Sequence, residues 1–199
     1  YQVNIFVISP VILDSDKMGL EQYTPKLREH YEAFFQVKGK KLIWNRGPIE
    51  KLHPDFYILE LGPSNRHEMW TYATIGMSLE RADENLIELF TYSKTQDRSR
   101  VELLTLNASF HRNYEPLNLN HTVVVGQLSD HNTTCDHGLI SLPYLDGPEL
   151  EIFRHSGAEI HCYWYIPITE RERDYKIDFG CDALETLFEE NQFDYLDKN

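Results

Sequence analysis

The run AEIHCYWYIPITERERDYKIDFGCDALETLFEENQ, residues 158–192, decides the fold. Ile160, Cys162, Trp164, Ile166 and Ile168 alternate with His161, Tyr163, Tyr165 and Pro167. A side-chain period of two belongs to a β-strand, whose successive residues point to opposite faces. The alternation therefore predicts a long strand with two different faces. Thr169 follows, with Glu172 three residues on. That is capping-box spacing, in which hydroxyl and carboxylate satisfy two orphan amides at a helix start. Tyr175 and Phe179 give the helix an apolar stripe, Gly180 interrupts it, and Leu184, Leu187 and Phe188 resume it at helical spacing. A strand feeding straight into an acidic, amphipathic helix is the organising unit.

Working outward, Leu150 to Phe153 reads as an extended piece joined to that strand through Ser156-Gly157, which predicts a hairpin. Leu139 to Tyr144 and Thr122 to Val125 read as two more extended pieces. Val101 to Tyr114 carries Leu103, Leu104, Leu106 and Phe110 and reads as helical. Phe56 to Leu61, Met69 to Met77 and Leu86 to Tyr92 read as strands, the first two joined through Gly62-Pro63-Ser64-Asn65. Gly76 within the second marks a bulge or a close backbone approach. Thr24-Pro25 is a helix-start signal, with Leu27, Tyr31, Phe34 and Phe35 on one face and Gly39 past the end. Lys38, Lys40 and Lys41 near that end fit charges complementing the helix dipole better than a phosphate site. Val3 to Leu13 reads as a strand leading into an irregular segment. No repeat and no Pro-, Gly- or Ser-rich linker divides the chain, so residues 1–199 are expected to form a single α+β domain.

Composition narrows the function classes. A net charge of −13 argues against a general nucleic-acid binder, which needs a basic face, and against docking on an anionic membrane. It suits attraction to a basic partner. No uninterrupted apolar run reaches the roughly 18 residues a membrane span requires. Cys135, Cys162 and Cys181 form no paired framework, which favours a reducing compartment, and a cytoplasmic location is expected. The chain opens on Tyr1 rather than methionine, so N-terminal residues are expected to be missing and no signal peptide is visible.

Chemistry-bearing patterns are sparse. His131, Cys135 and His137, with Asp130 and Asp136 beside them, contain zinc-ligating types, and a metal-dependent enzyme using them is the alternative to a binding protein. Their spacing matches no structural zinc pattern with a second half-site, so a polar loop is the plainer reading. There is no GxSxG elbow, P-loop or GxGxxG, and no HExxH helix among the nine histidines. His161, on the alternate face of the long strand, is expected to be hydrogen-bonded and partly buried. Asn107-Ala108-Ser109 and Asn132-Thr133-Thr134 fit the glycosylation pattern, which matters only for a secreted protein. Glu170, Glu172, Asp174, Asp178, Asp182, Glu185, Glu189 and Glu190 make the C-terminal helical region strongly negative. A solvated face explains them, and a protein-docking surface centred on Asp178, Asp182 and Glu185 is the competing reading.

Thr74-Ile75-Gly76-Met77-Ser78 resembles the TxGMS-type strand segment of the suppressor of fused (SUFU) domain family. Leu139-Ile140-Ser141-Leu142-Pro143-Tyr144 resembles that family's LLxxPxx element. The stretch from Ile166 through Thr169-Glu170, Gly180 and Leu184 resembles its strand followed by a T/E-capped helix, and Leu196-Asp197 falls where the domain usually ends. The likeness runs from about Phe56 to the C-terminus. It implies a mixed, largely antiparallel sheet flanked by helices, with no catalytic centre and no cofactor. In animals the family's protein is a cytoplasmic regulator that holds a transcription factor through a short peptide, aided by a second domain. Single-domain bacterial relatives are held to be immunity proteins that bind and neutralise polymorphic toxins, and that role is the expectation for this chain, with a scaffold or regulatory protein-interaction domain as a further alternative. The animal domain's peptide-contact region resembles Tyr72 through Glu84, which implies Tyr72, Asp83 and Glu84 as partner-binding residues. The alternative is that Tyr72 is simply a sheet residue and the two acids lie in a loop.

Overall fold

The computed structural model describes residues 14–47, 51–81, 83, 85–124 and 135–190, with side-chain surroundings from residue 22 onward. Its centre is the strand predicted from residues 158–168. In chain order the elements are α1 (Asp14–Phe35), β1 (Lys40–Leu42), β2 (Tyr57–Leu61), β3 (Trp70–Ile75), β4 (Ile87–Ser93) and α2 (Ser99–Asn113). Then come β5 (Thr122–Val124), β6 (His137–Ser141), α3 (Pro148–Glu151), β7 (Ile152–His155), β8 (Ala158–Ile168), α4 (Glu170–Phe179) and α5 (Cys181–Glu190). The strands form one sheet in the order β1-β2-β3-β4-β8-β6-β5, with β7 also on β8. Only β4·β8 is parallel among the described pairings. The register shows how β8 serves three partners: His161 faces both Ile87 of β4 and Ile152 of β7, and Trp164 faces both Phe90 of β4 and Ser141 of β6. One edge of β8 therefore takes β4, and β7 and β6 share the other.

Both faces of the sheet are covered. Ile160, Cys162, Trp164, Ile166 and Ile168 point into a core shared with Tyr23, Leu27, Tyr31, Phe34 and Phe35 of α1 and Leu184 and Phe188 of α5. Tyr163 and Tyr165 point the other way, into a second core with Ile58, Leu89 and the Val101, Leu103, Leu104 and Ala108 side of α2. The two-faced alternation read from the sequence thus corresponds to a three-layer α/sheet/α domain. Burial of this many large apolar side chains, each contributing about 1.5–3 kcal/mol, stabilises strands that alternate between two apolar environments rather than between core and water.

Local signals hold where they rest on backbone chemistry. Thr169 caps α4 with both halves of the box made, the Glu172 amide donating to its Oγ1 and Glu172 accepting from the Thr169 amide. Gly180 ends α4 at φ 94°, a backbone region that favours glycine. β7 and β8 are joined through Ser156 and Gly157, both at positive φ (49° and 83°), the geometry a two-residue hairpin turn needs to match strand twist. β2 and β3 pair antiparallel as expected.

Three expectations are corrected and one is qualified. α1 begins at Asp14, so Pro25 lies inside it rather than at its first turn. An interior proline removes one helical hydrogen bond, and the buried row from Tyr23 to Phe35 outweighs that loss. The segment from Leu150 opens with the short helix α3, and extended pairing starts only at Ile152. The apolar stripe of α4 is split: Tyr175 is half-buried against the α1-side core and Phe179 (4.7 Å), while Phe179 itself is about two-thirds exposed. The basic cluster belongs to neither helix dipole nor phosphate. Lys38 pairs with Glu32 (2.7 Å), Lys41 lies over the Tyr57 ring (4.6 Å), and Lys40 and Lys41 stand in β1. Val3 to Leu13 lies outside the described residues. Among the described residues no helix is long and apolar enough to cross a membrane.

Candidate partner-binding site

The Thr74–Ser78 segment is built around a carboxylate. Glu88 of β4 points to the α1 side of the sheet and is fully buried. Its Oε1 accepts from Tyr23 Oη (2.8 Å) and from the backbone amides of Gly76 (3.2 Å) and Ser78 (3.1 Å). Its Oε2 accepts from Thr74 Oγ1 (2.6 Å) and the Met77 amide (3.2 Å). Thr74 Oγ1 in turn accepts from the Leu89 amide (2.8 Å), and Ser78 Oγ donates to the Ile87 carbonyl (2.7 Å). Three successive amides turned toward one anion require a tight reversal, which Gly76 supplies at φ 94° with Phe56 Cα only 3.4 Å from where a Cβ would stand. Burial pushes the Glu88 pKa up to about 7, against the downward pull of the donors around it.

The chain leaving this turn is fastened on its other side to the C-terminal end of α2. Arg112 donates to the Leu79 carbonyl (2.7 Å), Arg81 to the His111 carbonyl (2.8 Å), and Asn85 to the Leu117 carbonyl (2.8 Å). His111 is buried, accepts from the Leu117 amide at Nδ1 (2.8 Å), and has its pKa lowered to about 4 by burial and the Arg81 charge. Asp83 is exposed at the tip of this fastened loop and takes two hydrogen bonds from Arg81, at 2.8 and 2.5 Å, which lower its pKa. Glu84 lies outside the described residues.

Tyr72 is not at the surface. Its ring is fully buried in the α2-side core, its hydroxyl accepts from the Asp97 amide (2.7 Å), and burial raises its pKa. The structure therefore places it as a sheet residue tied to the start of α2, away from the loop that carries Asp83.

The acidic helices divide. Asp178 and Asp182 are exposed. Glu185 is half-buried, accepting from Ser141 Oγ (3.0 Å) and Tyr144 Oη (2.9 Å), so it ties α5 to the end of β6. Burial followed by that carboxylate pushes the Tyr144 pKa up to about 12. Lys176 donates to the Asn120 carbonyl, and Cys181 Sγ to the Asn120 side chain (3.3 Å). None of the bonds above links Asp83 to the acidic helices.

Only part of the metal alternative falls among the described residues. His131 lies outside the described residues, and among the described residues no group of three or more His, Cys, Asp or Glu could hold an ion. His137 is buried in β6 with Nδ1 on Asp136 (2.7 Å). His161 is half-buried, stacked on Tyr163 (5.5 Å), with Nδ1 3.4 Å from Glu151. Asn107 is buried in α2 and bonds the Leu103 carbonyl (2.9 Å), so the folded protein does not present that sequon. Among the described residues Cys135, Cys162 and Cys181 form no disulfide. Sequence reasoning missed Glu88 and its partner Tyr23; the available signal was a lone carboxylate within the apolar Leu86–Tyr92 run.

The site defines a mixed-sheet domain with a carboxylate-anchored turn and a loop fastened to the C-terminal end of α2. The chain belongs to the suppressor of fused family: the family model "Suppressor of fused protein (SUFU)" matches residues 53–199. It is 31% identical to a SUFU homolog from Neisseria gonorrhoeae FA 1090, over 90% of this chain and 95% of that one, with a TM-score of 0.77. The fold also matches a structure of the Sufu–Fu complex (10% identity, TM-score 0.64, 83% of each chain). Drosophila Suppressor of Fused matches with 10% identity and a TM-score of 0.62, over 83% of this chain and 46% of that one. No curated protein matches the chain. Family membership makes this a protein-interaction domain rather than an enzyme.

Proposed function

We propose that the chain is a cytoplasmic immunity protein of the bacterial single-domain type, which neutralises a toxin by occluding it. The observation that carries the reading is the pairing of a protein-interaction fold with a net charge of −13, which steers a basic partner toward the surface. That a protein of the same fold has been captured as a Sufu–Fu complex supports a protein as the ligand. Two surfaces are the candidates. One is the fastened loop bearing Asp83, with Glu84 beside it in sequence; Tyr72, bonded to Asp97 before the other end of α2, is not part of it. The other is the face of α4 and α5 bearing Asp178 and Asp182, with Glu185 holding α5 in place. Because Asp83 is already paired with Arg81, a partner cation there competes with an internal one, whereas Asp178 and Asp182 are exposed.

The test is a pull-down of the purified protein against the products of the genes beside its own, followed by inhibition of any toxin activity found. Binding and inhibition by a neighbour are expected; a full set of neighbours that neither bind nor are inhibited refutes the immunity role. Charge reversal at Asp178 and Asp182 and, separately, at Asp83 then assigns the surface, the correct one weakening binding at least tenfold at low salt.

A further inference from the structure

The Gly76, Met77 and Ser78 amides converge on Glu88 without any side-chain cation among the donors; the other two are the Thr74 and Tyr23 hydroxyls. Successive amides turned to one point form an anion-binding nest, and here the anion is the chain's own carboxylate. We infer that Glu88 is a positioning residue: its carboxylate, acting as an internal anionic ligand of the 74–78 turn, sets the path of the loop that carries Arg81 and Asp83. The geometry has a second part. The loop is held by the Glu88 nest and the Ser78 Oγ–Ile87 carbonyl bond on the strand side, by His53 3.5 Å from Glu80, and by Arg112, His111 and Asn85 on the α2 side. Remove the carboxylate and three buried amides and the Thr74 and Tyr23 hydroxyls lose their acceptor together. Unpaired buried donors are costly, so the turn must open to water, and it opens into the loop because β3 and β4 are held by their ladder on the other side. That Asp83 serves binding rests on the reading above; that Glu88 sets the loop does not.

Titratable groups facing Glu88 are Tyr23 and Tyr31 of α1, Tyr57 of β2 and Cys162 of β8, each shifted upward and so neutral around pH 7. The His155 ring stands 5.9 Å from that of Tyr23, so a shared transition is assigned to the Glu88 carboxyl by its loss in Glu88→Gln.

The test is amide hydrogen exchange and amide proton shifts by NMR on the full chain. In the wild type, the Gly76, Met77 and Ser78 amide protons are expected to shift in one common transition as Glu88 ionises; the absence of a shared transition overturns the inference, and this measurement needs no variant to fold. In Glu88→Ala, exchange at Gly76 to Ser78 and at Arg81 and Asp83 is expected to rise at least tenfold relative to the β2 amides, and 100 mM formate, a carboxylate that fits the vacated nest, is expected to restore protection where 100 mM chloride does not. Glu88→Gln, close in shape but offering an amide nitrogen to donors, is expected to fall between. Unchanged protection in a folded variant, or equal effects of formate and chloride, refutes it. Failure of the immunity reading would leave these rates as they are, because no partner is present.

Discussion

Gly138 in β6 is a glycine for reasons of space. A Cβ added there would stand 1.9 Å from Tyr165 Cζ, 2.0 Å from its hydroxyl and 2.3 Å from Cε2. Tyr165 is fully buried and its strand neighbour across the ladder is Ile140, so its ring lies diagonally over residue 138. A carbon needs about 3.5 Å from another carbon, so Gly138→Ala creates an overlap that the ring cannot relieve by swinging into solvent. Either the two strands separate, at the overpacking cost of about 1–3 kcal/mol, or the ring leaves the core at about 3–5 kcal/mol. The expectation is about 3 kcal/mol, which for a chain of this size lowers Tm by about 6–12 °C. Urea melts followed by circular dichroism should show a lower midpoint at unchanged slope. The second half of the cycle is sharper. In a Tyr165→Ala background the same Gly138→Ala change should cost under about 0.5 kcal/mol, because the obstacle is gone. Equal costs in the two backgrounds would refute the steric argument.

The remaining predictions concern titration and capping. Glu88 has a folded-state pKa of about 7 against an ordinary 4.5, so the folded state binds its proton more tightly than the unfolded one. The resulting stabilisation is fully present below pH 4.5 and is lost as pH rises through 7; the protein should be about 2 kcal/mol less stable at pH 8 than at pH 5.5. Subtracting the same melts on Glu88→Gln isolates the contribution, and a flat difference across that range would contradict it. Glu32 and Asp136, whose pKa values are lowered, act with the opposite sign and only at acid pH, Glu32 through Lys38 and Arg28 working against burial and Asp136 through His137. Thr169→Ala removes the hydroxyl half of the α4 box and should cost about 1 kcal/mol. With no α4 residue buried, that loss should appear as fraying of α4, measured by exchange at Glu172 and Arg173, before any change in the core.

What was legible in the sequence follows from what each signal depends on. The β8 alternation, the Thr169 box, the Ser156-Gly157 turn and the Gly180 break are short-range, and the backbone alone enforces them. The start of α1 was misread because Thr24-Pro25 carries the local grammar of a helix start, whereas tertiary burial of Tyr23, Leu27 and Tyr31 extends the helix past it. The α4 stripe is legible as spacing, but spacing says that a face exists and not how much of it is covered: Tyr175 packs on the core and Phe179 does not. Glu88 was missed for the converse reason: a carboxylate in a strand reads as solvent-facing until the sheet is known to carry helices on both sides. For the candidate site, the motif around Gly76 was visible as a resemblance, while its purpose, holding a buried anion, needed Glu88 and Tyr23 to be brought in from elsewhere in the chain. Tyr72 was named for its place in that motif, and only the structure shows it facing the core.

The arrangement in which β8 joins β4 on one edge and β7 and β6 on the other has a consequence for biosynthesis. The β1–β4 meander leaves the ribosome well before its parallel neighbour, since residue 158 comes more than 60 residues after Ser93. During that interval β4 is a bare edge with an apolar face, the kind of surface that recruits other strands. Closure waits for the last strand made, so a ribosome stalled before residue 158 would display half a sheet with nothing to complete it. Such nascent chains should be protected by chaperones or lost to aggregation, and their solubility should jump once β8 is released.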